Sequence, residues 1–403
     1  MQSLNLAARL IAFYLPQFHP IPENDEWWGK GFTEWTNVAK AKPLFTGHYQ
    51  PRLPADLGFY DLRVPEVREA QAELARNAGI EGFCYYHYWF GGKRLLERPF
   101  SEVVASGKPD FPFCLCWANA TWTGTWYGAP DRTLVEQTYP GPEDWRKHFL
   151  ALRDAFLDKR YLRIDGRPIF VIFRPMELPD SKSFIQEWQE LAVRAGLPGL
   201  HFVAHLFHYE SDWDYQSHGF DSCVIAGHIK VFCLSARELF MRFGKNGKNG
   251  TCHSPSRLNR DTSNAELREW LRSRFRSSLG QFSNVRLYRN AIPHLIDGCT
   301  EQRDVYPCVV PNWDNTARSG VRGIVLHEST PDLFRIHLRD ALGLVQSRPA
   351  NQRVVFIKSW NEWAEGNYLE PDQKFGHDYL KVVREEILGR SEPTSDFFRE
   401  EQS

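Results

Sequence analysis

Eight short apolar runs, separated by stretches of helical periodicity, constrain this chain more than any other feature. They are RLIAFYL (9–15), GFCYYHY (82–88), PFCLCWA (112–118), PIFVIFR (168–174), LHFVAHL (200–206), DSCVIAG (221–227), YPCVVPN (306–312) and RVVFIKS (353–359). Each is apolar throughout rather than strictly alternating, which is the pattern of a strand covered on both faces in a parallel sheet. Between them lie amphipathic segments. In one, Phe184, Trp188, Leu191 and Ala195 share a helical face, and Ala-Gly-Leu-Pro-Gly follows as a stop. Asn77-Ala78-Gly79-Ile80 is a similar stop before the second run. Eight strands with intervening helices predict an α/β fold, a (β/α)8 TIM-like barrel. A doubly wound open sheet is the runner-up, but no GxGxxG follows the first strand to support a dinucleotide site.

No repeat or Pro-rich linker divides residues 1–403, so a single barrel domain is the economical reading. Two segments are longer than ordinary connections. Pro16 to about Val64 is rich in Trp, Pro and Gly and contains DEWWGKGFTEW, and long loops after barrel strands are where binding sites are built. The second lies between strands six and seven, and is expected to be a helical insertion over about 228–300. Within it, Arg237–Arg289 carries twelve Lys or Arg against four Asp or Glu. It reads either as a solvated helical insertion or as a lid or docking patch for an anionic glycan or carrier phosphate.

A formal net charge of −1 gives no electrostatic argument for nucleic acid or an anionic membrane as partner. No run approaches a membrane span, and the first apolar run is too short for a secretory signal, so a cytoplasmic location is expected. The eight Cys, several within strands (Cys84, Cys114, Cys116, Cys308), lack zinc-site spacing and fit a reducing compartment. No HxH or HExxH occurs, so neither metal nor cofactor is expected. The unusual figure is 14% aromatic residues with 14 Trp. Most must fill the core, yet Trp and Tyr also stack on sugar rings and hydrogen-bond at their edges.

The most informative stretch is VVFIKSWNEWAEGNYLEPD (354–372). A buried strand ends in Trp360-Asn361 and delivers Glu362, then Glu365 three residues later beside Trp363, and Trp360, Asn361 and Trp363 are expected to contact the sugar. In a turn or first helical turn that spacing puts both carboxylates on one side, roughly 5–6 Å apart. Paired carboxylates are what retaining glycoside chemistry needs, one acting at the leaving oxygen and the other at the sugar. Other strand ends should converge on the same mouth: Tyr14, Gln17, His19, Glu34, Trp35 and Asn37 after strand one, and Tyr86, His87, Tyr88 and Trp89 after strand two. Trp117, Asn119 and Trp122 follow strand three, Arg174 strand four, His205 strand five, and Trp313, Asp314 and Arg318 strand seven. Hydroxyl-orienting polar groups among aromatic platforms are the usual make-up of a sugar site.

YLPQFHPIPENDEWWGKGFTEWTNV, GFCYYHYWF, CWANATWTGTWYG, WDNTAR and WNEWAEG, in that order, resemble the WbsX-type proteins, whose domain is described as glycoside hydrolase family 99-like. The resemblance runs from Ala12 to about Leu380. It implies a metal-free (β/α)8 barrel acting on an oligosaccharide or polysaccharide of bacterial type. More distantly, the NEWxEG segment is similar to the retaining family 99 endo-α-mannosidases. There, one carboxylate acts as base on the sugar 2-hydroxyl to form a 1,2-anhydro sugar, and the other protonates the leaving oxygen. By motif position the resemblance assigns the base to Glu362 and the acid to Glu365, and places Tyr14 near the sugar. WbsX-type proteins have been labelled glycosyltransferases in surface-polysaccharide synthesis, yet no DxD or Rossmann phosphate loop stands in a suitable place. A retaining hydrolase or transglycosylase is the leading expectation; a glycosyltransferase and a non-catalytic glycan-binding barrel are the alternatives. Related sequences commonly carry an acidic residue after Trp-Ala-Asn, where this chain has Ala120.

Overall fold

The eight apolar runs close into one sheet. The computed structural model of the chain describes residues 7–124, 129–207, 210–233 and 284–388. Its barrel strands are β1 (Arg9–Tyr14), β2 (Gly82–Phe90), β3 (Phe113–Trp117), β4 (Arg167–Ile172), β5 (His201–Phe207), β6 (Ser222–Ala226), β7 (Val305–Val309) and β8 (Val354–Ile357). Neighbours in the chain are neighbours in the sheet, and every pairing between them is parallel. β1 pairs with β8 through Arg9↔Val354 and with β2 through Ile11↔Gly82, so the sheet is a closed barrel. The open doubly wound alternative is excluded.

Within the first long loop lie α1 (Pro22–Trp28) and α2 (Glu34–Lys40). Outside the barrel run α3 (Pro65–Asn77), α4 (Arg98–Ser106), α5 (Pro142–Leu157) and α6 (Ser181–Arg194); α7 (His228–Cys233) and α8 (Tyr288–Leu295) follow β6. After β7 come α9 (Thr316–Ser319) and α10 (Pro331–Val345), and α11 (Asp378–Leu388) follows β8. α6 shows why the sequence signals worked. Asp180 caps it by accepting from the Ser183 amide, and Phe184, Ile185, Trp188 and Ala192 form its buried face. Gly196, at φ 88°, then turns the chain where L residues with a Cβ are disfavoured. Between β5 and β6 the described residues include a short 3₁₀ turn, Gln216–His218. The basic stretch of the expected insertion lies largely outside the described residues. No helix among them is long and apolar enough to cross a membrane.

Which side chains enter the barrel follows from the two-residue period of a strand. Phe13 of β1 meets His205 of β5, on the far side of the barrel, at 5.8 Å, and stacks on Tyr86 and Phe356. Phe13, Tyr86, His205 and Phe356 therefore point inward, and their sequence neighbours point at the helices. Four expected site residues fall on that outer side. Tyr14 packs on Phe83 and Tyr85 and donates to Gln71 of α3 at 2.7 Å. His87 meets His148 of α5 at 2.8 Å between ring nitrogens, Trp89 donates to Asp144 of α5, and Trp117 packs on His148 and Phe184. These are helix–barrel contacts. Strands apolar on both faces hid the parity, and the expectation that these residues face sugar is corrected.

Candidate active site

The segment after β8 is held at several points. Asn361 clamps the end of β1, donating to Leu15 O and accepting from Leu15 N at 3.0 and 2.7 Å. Asn361–Glu362 pairs antiparallel with Asn367–Tyr368 around a single 3₁₀ turn, Trp363–Glu365. Gly366 closes that turn at φ 59°, where a Cβ would come within 2.8 Å of Asp314 Cβ. The reversal brings Glu362 and Glu365 together. Trp360 and Trp363 point away from the pair. Trp360 packs on Phe83 outside the barrel, and Trp363 stacks on Tyr368 at 3.8 Å and donates to Glu370. Both are scaffold, as is Asn361, rather than the sugar platforms expected.

Glu362 and Glu365 are nearly buried, at 5% and 7% exposure, and interact directly. Two buried carboxylates in contact cannot both ionise, so they share one proton. Burial is the largest single influence on Glu362 and raises its proton affinity, but the Lys358 ammonium, 3.5 Å from Oε1, together with Glu365, Arg318 and the Ser359 hydroxyl at 3.0 Å, outweighs it. The Glu362 carboxyl is drawn down to about 2. Burial and the Glu362 charge hold Glu365 well above the usual carboxylate range. The Arg318 guanidinium opposes this, but it is divided between Glu365 and Glu34. Within the pair, Glu365 is therefore the carboxyl that holds a proton more tightly.

The first long loop folds back onto this centre. α2 brings Glu34 to Arg318 at 2.7 Å, Asn37 donates to Glu34, and Trp35 packs on Trp363 at 5.6 Å. Trp35 also donates to Tyr60 O and packs on Phe18, so it is part of the loop's own core. Gln17 is half-buried and its carbonyl accepts from the Glu34 amide, while His19 is buried against Pro16 O. Asp314 is buried too, accepting from His48 and Gln50, and its amide donates to Glu365 O at 2.6 Å. It holds the Glu365 backbone in place and is itself fully buried. Asn119 is tied to the backbone of Arg174 in both directions, and Trp122 packs between Trp27 and Tyr88. Ala120 follows Asn119 directly and is half-buried.

Across from the carboxylates runs an arc from β4 to β7. The Arg174 guanidinium lies over Phe207 at 4.8 Å, Phe173 and Phe207 flank His205, and His228 stacks on Trp313 at 4.1 Å. Both nitrogens of His205, Nδ1 of His228 and Nε1 of Trp313 are buried without a hydrogen-bond partner. Burial first, and then the Lys358 charge, holds both histidines neutral. A separate cavity of about 380 Å³ is lined by Met176, Asp180, Lys182, Trp213 and His218 among others, on the segments after β4 and β5. Among the described residues no group of three or more His, Cys, Asp and Glu is placed to hold a metal ion.

Sequence reasoning passed over Lys358, Ser359, Phe173, His228 and Glu370. Only Lys358 left a signal, as a cation at the end of an apolar strand and four residues before Glu362. Glu370 is fully buried and accepts from Trp363, Gln71 and Tyr60 at 2.6, 2.6 and 2.9 Å. Burial nonetheless pushes its carboxyl up to about 7, above an unfolded value near 4.5. A group whose folded form binds its proton more tightly stabilises the fold fully at low pH and loses that contribution as pH rises towards 7. Between about pH 5 and 8 this costs roughly 3 kcal/mol. Urea unfolding at pH 5, 6.5 and 8 is expected to show a steeper decline in the parent chain than in Glu370→Gln. Parallel declines would refute this assignment.

The profile of the family described as "Glycosyltransferase WbsX" matches residues 10–383. "Uncharacterized protein WxcX" of Xanthomonas campestris pv. campestris strain B100 is 37% identical over 386 residues, 95% of this chain and 50% of that protein. Its counterpart in strain ATCC 33913 gives the same figures, so the chain spans about half the length of these curated relatives. A solved structure described as a glycoside hydrolase-like protein superimposes with a TM-score of 0.55 at 16% identity, covering 96% of each chain. A family 99 endo-α-mannosidase from Bacteroides thetaiotaomicron, in complex with Bis-Tris-propane, gives 0.51 at 15% identity over 94% of this chain and 95% of that one. At such identities the likeness is one of fold.

Proposed function

The chain belongs to the WbsX glycosyltransferase family, and on that premise we propose that it acts on glycosidic bonds through Glu362 and Glu365. The observation that carries this reading is the split pair: two buried carboxylates in contact at the C-terminal end of a barrel strand, one drawn down by a buried lysine and the other pushed up by burial and its partner's charge. That is the state retaining chemistry needs before the bond breaks. Glu362 accepts a proton from a sugar hydroxyl, which attacks the anomeric carbon, and Glu365 gives its proton to the leaving oxygen. Water, or a second sugar hydroxyl, then opens the intermediate, giving hydrolysis or transglycosylation.

The arc opposite the pair supports an uncharged, hydroxyl-rich ligand. A neutral imidazole carries one donor and one acceptor nitrogen, so the two orphaned nitrogens of His205 call for an acceptor at one and a donor at the other. Hydroxyls do both; a carboxylate only accepts. The cavity beside Trp213 gives room for a neighbouring sugar unit on the same rim. Single domain organisation over 1–403 is part of the same proposal.

The family description favours a second reading, transfer from an activated sugar donor. Thermal unfolding with nucleotide sugars and with neutral oligosaccharides separates the two. A ligand at 100 times its dissociation constant stabilises by about 2.7 kcal/mol. Stabilisation by oligosaccharides alone is expected; stabilisation by a nucleotide sugar alone would overturn the hydrolase-type reading. Should neither act, Ala120→Glu is the variant to test next, a gain of binding or turnover placing an acidic residue of the site there.

A further inference from the structure

We infer that Lys358 is the positioning residue that assigns the negative charge of the glutamate pair to Glu362 and leaves the proton on Glu365. Its Nζ donates to Tyr86 Oη at 2.8 Å and lies 3.5 Å from Glu362 Oε1. The rings of Phe13, Tyr86, Phe173 and Trp313 surround the ammonium at 5.4–5.9 Å. Lys358 and Glu362 are withdrawn from water together, with side chains 5% and 6% exposed. Stability does not explain a lysine there, because an apolar side chain would fill the end of the barrel without the cost of dehydrating an ion.

Charge balance explains it. Three carboxyl groups, Glu34, Glu362 and Glu365, face two cations, Arg318 and Lys358. The cluster is neutral when one carboxyl keeps its proton. Arg318 is divided between Glu34 and Glu365, whereas Lys358 forms its ion pair with Glu362 and acts less on Glu365, so the proton falls to Glu365. The other groups facing Lys358 or Glu362 are Tyr86 and Tyr88 of β2, Cys116 of β3, His205 of β5, His228 of α7 and Cys308 of β7. Burial keeps both histidines neutral and Tyr86, Tyr88 and Cys308 protonated, so none of these five supplies a competing charge. The consequence for turnover rests on the proposed function; the placement of the charge does not.

The test needs no substrate. In full-length chain labelled with carboxyl-¹³C glutamate, Glu362→Gln and Glu365→Gln identify the two resonances, and both are followed from pH 4 to 9. The parent Glu362 signal should stay at its carboxylate position throughout. In Lys358→Met its midpoint should rise by about two to three pH units, which brings its titration inside this range, while the Glu365 midpoint falls. Lys358→Arg, which keeps the charge, should leave both near the parent pattern. If Lys358→Met loses its native near-ultraviolet circular dichroism, Lys358→Gln, which still offers Tyr86 a donor, is read in its place. A Glu362 signal that remains flat without the lysine, or one that already titrates in the parent, overturns the inference. Where turnover is measurable, the acid limb of kcat/KM should move upward with the Glu362 midpoint. A uniform loss at every pH, with the resonance shift intact, would count against the proposed chemistry and not against the charge assignment.

Discussion

Glu362→Gln should lower turnover of a glycoside substrate by about 10²–10⁴-fold while leaving its dissociation constant close to the parent value. The amide keeps the shape of the carboxylate and its contact with the Ser359 hydroxyl, but it cannot take a proton. Glu365→Gln should behave differently, because an activated aryl leaving group departs without protonation and a sugar leaving group does not. Its loss should be small on an aryl glycoside and of the same 10²–10⁴-fold order on a natural glycan. Steady-state rates for both variants on both substrates test the division of labour. Equal losses for Glu365→Gln on the two substrates would remove the acid from that residue.

Arg318→Met should destabilise the chain by about 3–5 kcal/mol, the usual effect of removing one partner from a buried ion pair. Arg318 bridges Glu34 of the first long loop and Glu365 of the β8 segment, and its side chain is only 12% exposed. Without it Glu34 has lost its counter-charge at 2% side-chain exposure. The cost is electrostatic if Glu34→Gln in the same chain restores more than half of it. Urea unfolding of the parent, both single variants and the double variant closes the cycle. A loss under about 1 kcal/mol for Arg318→Met, or no rescue by the second substitution, would mean that the bridge does not tie the loop down.

Much of this architecture was legible in the residues. All eight strands lie within a few positions of the apolar runs, because a strand buried on both faces must be continuously apolar, and the Gly-containing stops marked where helices end. The glutamate pair was legible for a related reason, since an ExxE directly after such a strand is delivered to the barrel's C-terminal face. Lys358 was visible as an anomaly but not as a partner, for its meaning lies in rings contributed by β1, β2 and the segments after β4 and β7.

Sequence alone determined the fold class, the strand order implied by alternation, and the carboxylates on which the proposed chemistry depends. These are properties of local pattern, set by hydrophobic period and by spacing within a few residues. Tertiary structure decided which face of each strand looks inward. Alternation makes Tyr14 and Phe13, or His87 and Tyr86, opposites, but only closure of the sheet turns Phe13 and Tyr86 to the interior and sends Tyr14 and His87 to the helices. It also decided the protonation of the pair. The two glutamates are nearly equivalent along the chain, and they differ because Arg318 is shared with a carboxylate 284 residues away while Lys358 serves Glu362. Electrostatic energies in a dehydrated site depend on separations of a few ångströms between groups distant in sequence, and those separations exist only once the barrel has closed.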